Sequence, residues 1–411
     1  MQTIIIGLIA VMYLIDLAVT LVNDRYSRKP LPEPARGIYD DEKYAKWLDY
    51  SMVTLRHSIL AQTVLTALLL VLLAFGAFGL LEGWTNAWFS HPLLQTLAFL
   101  GAFGLLMFIA KLPFNYYRTF VIEERFGFNK TTHKTFLMDL LKSIVVAAGL
   151  GSGVVSLLYF LYSTFVEQLW LFIVSAWGAL SVLVVVLFVL NTKIFVKLFN
   201  KLTPLPEGEL RDEIETLASR VGFNIRAISV MDASKRSTKL NAFFSGLGKT
   251  REVVLFDTLI EKLNKDEILS VLAHELGHAV HKDVPRLMGA QIAVLGIYAA
   301  LIGFILQNPA LAQEFGLSDV HFGFSLLLFG ILSEPLDLLI SLPVNAISRR
   351  AEYAADAFAA KWAGAPAMRN ALRILAQENL ANLNPHPFYV LLHYTHPPIP
   401  ERLRAIGENS A

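Results

Sequence analysis

All 35 lysines and arginines of this chain fall in four segments: 7 in 23–57, 6 in 111–142, 15 in 193–286 and 7 in 348–411. Between and before those segments lie seven apolar stretches, roughly 3–22, 58–81, 93–110, 143–165, 169–192, 287–306 and 322–347. A helix of about 20 mostly apolar residues crosses the hydrocarbon core of a bilayer, and each stretch has that length. The other connections, 82–92, 166–168 and 307–321, hold no lysine or arginine. Basic loops stay on the cytoplasmic side, so the pattern predicts seven spans with the N-terminus outside and the C-terminus inside. Adding or removing one span destroys the alternation. That constraint supports the stretch at 322–347, which Glu334, Pro335, Asp337 and Pro343 interrupt. The first stretch has no basic residue before it and no convincing A-x-A cleavage site, so it reads as an uncleaved span.

A charged fraction of 17% and a mean hydropathy of +0.52 agree with this reading, since soluble chains carry about 25% charged residues. The expected fold class is therefore mainly α and polytopic. The domain plan is five spans in 1–192, a first polar region in 193–286, two spans in 287–347 and a second polar region in 348–411. Both polar regions fall on the cytoplasmic side and can form one α/β domain. Residues 207–221 place Leu210, Ile214, Leu217 and Val221 at helical spacing. Two β-rich runs follow, around 225–231 and at 252–256, with NAFFSGLG at 241–248 between them. KPLPEPARG at 29–37 reads as a proline-rich linker. A net charge of +1 gives no sign of a nucleic-acid partner.

The chain has no cysteine, which removes disulfides and thiolate ligands, so a metal site must be built from histidine and carboxylate. VLAHELGHAVHKD contains H-E-x-x-H at 274–278. Residues four apart share a helix face, so His274 and His278 can hold one zinc ion with Glu275 beside it as the base. A catalytic zinc takes three protein ligands. SRRAEYAADAFAAKWAG at 348–364 is helical by composition and puts Glu352 and Asp356 on one face. Glu352 is the expected third ligand, and Asp356 the acceptor for a ligand imidazole N–H. His281 competes as a ligand, although seven residues from His274 place it about 10 Å along the axis.

HELGH at 274–278 and SRRAEYAAD beginning at 348 resemble the type I CAAX prenyl endopeptidases, membrane zinc proteases that cleave near isoprenylated C-termini. LPFNYYRTFVIEERFGFNK at 112–130, NAFFSGLG, VVLFDTLI at 253–260 and THPPIPERLRAI at 395–406 resemble that family's segments in the same order. The resemblance implies seven long helices around a water-filled chamber capped by the zinc domain. It makes His274, His278 and Glu352 the ligands of one Zn2+ and Glu275 the general base. His396 and Arg402 become the groups that steady substrate and tetrahedral intermediate, and Asn241, Ala242 and Phe243 lie beside the substrate.

The expected activity is hydrolysis of peptide bonds in membrane-associated polypeptides, prenylated or misfolded. An extended substrate would pair with an edge strand at 252–256. Few residues follow Ile406 and no dibasic signal ends the chain, which favours a bacterial inner membrane. Two other readings stay open: a heat-shock-type quality-control zinc peptidase, and an inactive membrane scaffold or transporter. Asp16, Glu334 and Asp337, as ionisable groups inside spans, are expected to face the bundle interior or an aqueous chamber.

Overall fold

Seven helices long and apolar enough to cross a membrane run through a computed structural model, which describes residues 1–245 and 252–408. They are Gln2–Ser27, Asp41–Ala74, Pro92–Tyr117, His133–Thr164, Leu169–Leu190, Asp283–Leu306 and Phe322–Ala359. We call them the first to seventh spans. Each touches the next in chain order, and the seventh returns to the first, so the spans close a ring. In the first five, only 6–11% of the apolar window is buried. A close-packed bundle would bury far more, so this wall is one helix thick. The sixth and seventh spans, at 28% and 22%, are the better packed pair.

The second span ends earlier than its apolar sequence suggests. Phe75 caps it, Gly76 turns at φ 69°, and Ala77–Trp88 forms a separate helix. Residues 75–81, expected within the span, therefore belong to a cap at the ring's far end. There Phe78, Phe99, Phe315 and Phe324 form a buried aromatic cluster with Leu73 and Ile5. Glu82, buried in this cap, accepts hydrogen bonds from the Ser318 backbone N–H and hydroxyl at 2.8 and 2.9 Å.

At the opposite end the polar segments build one domain. Its four-stranded sheet comprises β1 (Leu202–Pro204), β2 (Ala227–Met231), β3 (Ala242–Ser245) and β4 (Glu252–Phe256). The strand order is β1-β2-β4-β3, with β2 and β4 parallel and the outer pairs antiparallel. The strand at 252–256 is therefore interior, and the expectation of an edge there is corrected: β3 is the edge on the side of the HELGH helix. Of NAFFSGLG, residues 246–248 lie outside the described residues.

The segment 118–130 fastens the ring to this domain. Glu123 accepts from the Tyr50 hydroxyl at 2.9 Å and pairs with Lys239 at 3.1 Å. The backbone of 128–130 bonds to that of Arg236 and Thr238. Arg236 in turn forks onto Asp139 of the fourth span at 2.8 and 3.0 Å.

Candidate metal centre

The helix Lys265–Val280 starts at a capping box. Asn264 accepts from the Glu267 N–H at 3.0 Å, and Glu267 accepts from the Asn264 N–H at 2.9 Å. Such caps contribute about 1 kcal/mol. Ile268, Leu272, Ala273 and Leu276 are buried on the helix, each large aliphatic contributing roughly 1.5–3 kcal/mol. The seventh span crosses this helix closely. A Cβ on Gly277 would lie 3.1 Å from Ala355 Cα and 3.2 Å from Phe358 Cβ, so a larger residue would push the two helices apart by a few tenths of an ångström at the crossing that brings Glu352 to the histidines.

Donor atoms of three residues converge at that crossing. His274 Nε2 and His278 Nε2 are 3.2 Å apart, and Glu352 Oε1 is 3.2 Å from His278 Nε2. Glu352 Oε2 is 3.4 Å from His274 Nε2 and, among the described residues, has no hydrogen bond although buried. On their far sides the rings are oriented by carboxylates: His274 Nδ1 lies 2.9 Å from Asp356 Oδ1, and His278 Nδ1 lies 3.0 Å from Asp283 Oδ2. With Nδ1 donating to those carboxylates, both Nε2 lone pairs and a carboxylate oxygen face one point. Lone pairs gathered so closely repel unless a cation lies among them, and the trio satisfies the spacing of a three-ligand metal group.

Burial alone would push the His274 imidazole down. The Asp356 and Glu352 carboxylates beside it outweigh that and lift it to about 9, so the pocket stabilises positive charge at its centre. His278 is likewise opposed by burial and raised by Glu352. Burial also raises the Glu275 carboxyl, which accepts a hydrogen bond from the Phe244 backbone N–H. A carboxylate raised from its ordinary range is a stronger base near neutral pH.

The structure distributes the remaining site residues unevenly. His396 is exposed at the rim, with Nε2 3.1 Å from Glu352 Oε1 and Nδ1 2.9 Å from the Thr395 hydroxyl. Arg402 is buried and donates to Asp356 through Nε at 2.8 Å and Nη2 at 2.6 Å, with Nη2 3.6 Å from Glu352 Oε2. Asp356 holds it strongly protonated against the cost of burial. Its guanidinium is thus committed to the two acids. His281 caps the HELGH helix, edge-on to Phe358, and is not in the trio.

Asn241 is exposed and Ala242 buried, while Phe243 turns to the sheet's other face against Phe256. Phe244 faces Glu275 and, with Phe188 and Phe223, lines a cavity of about 340 Å³ that contains Glu275, His278, Glu352 and His396. Sequence reading passed over Phe244 and Asp283. The period of two along a strand was the available signal for Phe244: Ala242 and Phe244 share a face. Asp283 follows Lys282, which turns the chain at φ 59° and returns the carboxylate to His278.

A ring of membrane helices carrying an H-E-x-x-H helix that meets a glutamate from a second helix beside a cavity defines an integral membrane metalloendopeptidase. Comparison with known proteins agrees. Residues 204–410 match the family model described as "Peptidase family M48", and 23–201 match "CAAX prenyl protease N-terminal, five membrane helices". A CAAX prenyl protease 1 homolog of Oryza sativa subsp. japonica is 33% identical over 97% of this chain and 95% of that protein. CAAX prenyl protease 1 of Saccharomyces cerevisiae is 33% identical over 93% and 89%. The crystal structure of S. mikatae Ste24p superposes with a TM-score of 0.93 at 30% identity, covering 98% of each chain. The chain belongs to peptidase family M48, alongside the CAAX prenyl protease 1 homologues.

Proposed function

We propose that this chain is a zinc endopeptidase that cleaves membrane-associated polypeptides with CaaX-type, prenylated C-termini on the cytoplasmic face. The observation that carries the metal reading is the convergence of His274, His278 and Glu352: the two Nε2 atoms lie 3.2 Å apart, with one Glu352 oxygen 3.2 Å from His278 and the other 3.4 Å from His274. Zn–N and Zn–O bonds of about 2.0–2.1 Å in a tetrahedron put ligands about 3.3–3.4 Å apart. Two imidazoles and one carboxylate, with no thiolate, make a donor set used by catalytic zinc. Bound there, the ion supplies polarisation of the scissile carbonyl and acidification of the attacking water.

The chain's own residues do the rest. Glu275, held by the Phe244 N–H, takes the proton of the water and returns it to the leaving amine. His396, exposed at the rim, donates to the developing oxyanion by turning its Nε2 from Glu352 toward the substrate. Arg402, spent on Asp356 and Glu352, positions the ligands. The substrate lies along β3. Asn241 C=O accepts from the Phe256 N–H, so in this antiparallel register Ala242 and Phe244 turn their backbone groups to the free edge; their N–H groups go to Asn241 Oδ1 and Glu275, and their carbonyls can accept from an extended peptide. Phe188 and Phe223 give apolar substrate groups a dry wall. The ring's interior is the water-filled approach, and Asp16, Glu334 and Asp337 face it. The basic loops place the N-terminus outside and the catalytic domain inside. The relatives named above come from a plant and a yeast, and lend no support to a bacterial membrane.

The test is cleavage mapping by mass spectrometry on a farnesylated CaaX reporter and its unlipidated twin, with zinc measured in the same preparation. Stoichiometric zinc and preferential cleavage of the lipidated reporter are expected. Equal cleavage of both would transfer the reading to general quality control of misfolded chains. Reporter fusions after residues 88 and 315 should be external, and those after 40, 125 and 240 internal; an internal reading at 315 would sink the topology.

A further inference from the structure

Away from the metal centre, a groove of about 500 Å³ opens between the domain-side ends of the fourth and fifth spans. Six cations line it: Lys134, Lys142, Lys197, Lys201, Lys235 and Arg236. Two carboxylates line it as well, and both are already answered: Asp139 by Arg236, and Asp232 by Lys235 at 2.9 Å. Six positive and two negative groups leave a net charge of +4. Lys142 donates to the Leu198 carbonyl at 2.8 Å. Lys134, Lys197 and Lys201 are exposed, and none of the three has an acidic partner among the described residues.

The position of the groove selects its ligand. Lys142 immediately precedes the apolar stretch of the fourth span, and Lys197 follows the π-helical segment Asn191–Val196 that continues the fifth span. The groove therefore sits at headgroup depth. Among the lysines the groove is also lined by the apolar side chains of Met138 and Leu198, 47% and 37% accessible, and Ile194, about one turn before Lys197 toward the membrane, is 49% accessible. A free anion would use the lysines and leave those apolar groups wet, whereas a lipid uses both.

We propose that this groove binds the phosphate headgroup of an anionic phospholipid, with Lys134, Lys197 and Lys201 as its principal contacts. Basic pockets between spans on the cytoplasmic side bind anionic headgroups, and each lysine near such a surface contributes about 1 kcal/mol, or roughly five-fold in affinity. Arg236 links the groove to Asp139 of the fourth span and, through its backbone, to Lys130. A bound headgroup thus lies at the joint between ring and catalytic domain. The inference does not depend on the substrate assigned above.

The experiment uses the full-length protein in neutral detergent. Native mass spectrometry counts retained lipid while dioleoyl phosphatidylglycerol or phosphatidylcholine is titrated in. The variants are the triple K134Q/K197Q/K201Q and a control triple, K29Q/K46Q/K361Q, which removes equal charge elsewhere. Wild type and control should retain phosphatidylglycerol in preference to phosphatidylcholine, and the groove triple should lose on the order of 100-fold in that affinity. Near-equal retention of the two lipids by wild type would overturn the proposal, as would equal losses in both triples. Displacement of phosphatidylglycerol by millimolar inorganic phosphate would overturn the assignment to a lipid. Circular dichroism and the cleavage assay establish that the groove triple is folded, since none of its lysines touches the metal centre.

Discussion

The seventh span carries two pairs of carboxylates in opposite circumstances. Glu334 and Asp337, in the part that crosses the membrane, are exposed. Their neighbours are few: Asp337 accepts from the Tyr298 hydroxyl, and Asp16 and Asp337 are the charges acting on Glu334. Glu352 and Asp356, further along the same helix, are 4% and 1% exposed. Buried charge persists only where partners replace water, and the second pair is surrounded by His274, His278, His396 and Arg402. One helix thus holds acids that depend on solvent and acids that depend on one another. Removing a member of the second pair should therefore do far more damage.

Four measurements would break or sharpen that contrast. The largest effect is expected of Glu352→Gln, which keeps the shape and removes the ligand charge. Zinc affinity, read by chelator titration, should fall by more than about 100-fold, beyond the range seen for outer partners. A variant as chelator-resistant and active as wild type would exclude this ligand. Glu275→Gln should retain stoichiometric zinc and lose roughly 100- to 10,000-fold in kcat, the range of a general acid–base group. Wild-type turnover there would end its assignment as the base.

Asp356→Asn and Asp283→Asn leave the ligands intact and misorient one imidazole each. Losses of about 10- to 100-fold in metal affinity or activity are expected. Asp356→Asn should be the worse of the two, because it also strands the buried Arg402. Equal damage would mean that Arg402 finds another acceptor. The smallest effect is expected of Glu334→Gln with Asp337→Asn: unchanged zinc content and a kcat within about threefold of wild type, as is usual for exposed positions. A loss comparable to that of Asp356→Asn would show that the membrane pair is coupled to the site.

Much of this was legible in the sequence. Hydropathy and the placement of basic residues located every span, because backbone in lipid must be helical and basic loops are confined to one side. The i, i+4 spacing placed His274 with His278 and Glu352 with Asp356. What stayed hidden depended on three-dimensional neighbours. The end of the second span at Phe75 is set by Gly76 turning into an aromatic cluster, although residues 75–81 are as apolar as the span itself. The interior position of β4 follows from pairing with β2 across a long connection, which a run of β-branched residues does not reveal. Asp283 reaches His278 only through the turn at Lys282.

Between His278 and Glu352 the chain runs through two spans, the sixth and the seventh. The glutamate then arrives on the same uninterrupted helix that left the membrane. No contiguous soluble fragment of this chain contains all three of the proposed ligands. Proteolytic shedding or translation of the domain alone gives, at best, two histidines without their carboxylate. A ribosome has finished most of the protein before the last donor emerges, and that donor reaches the others only after both spans have been inserted in the correct sense. Metal capture is in this respect a certificate of membrane assembly: a molecule that has misthreaded its last hairpin stays empty, and an empty molecule cannot cut.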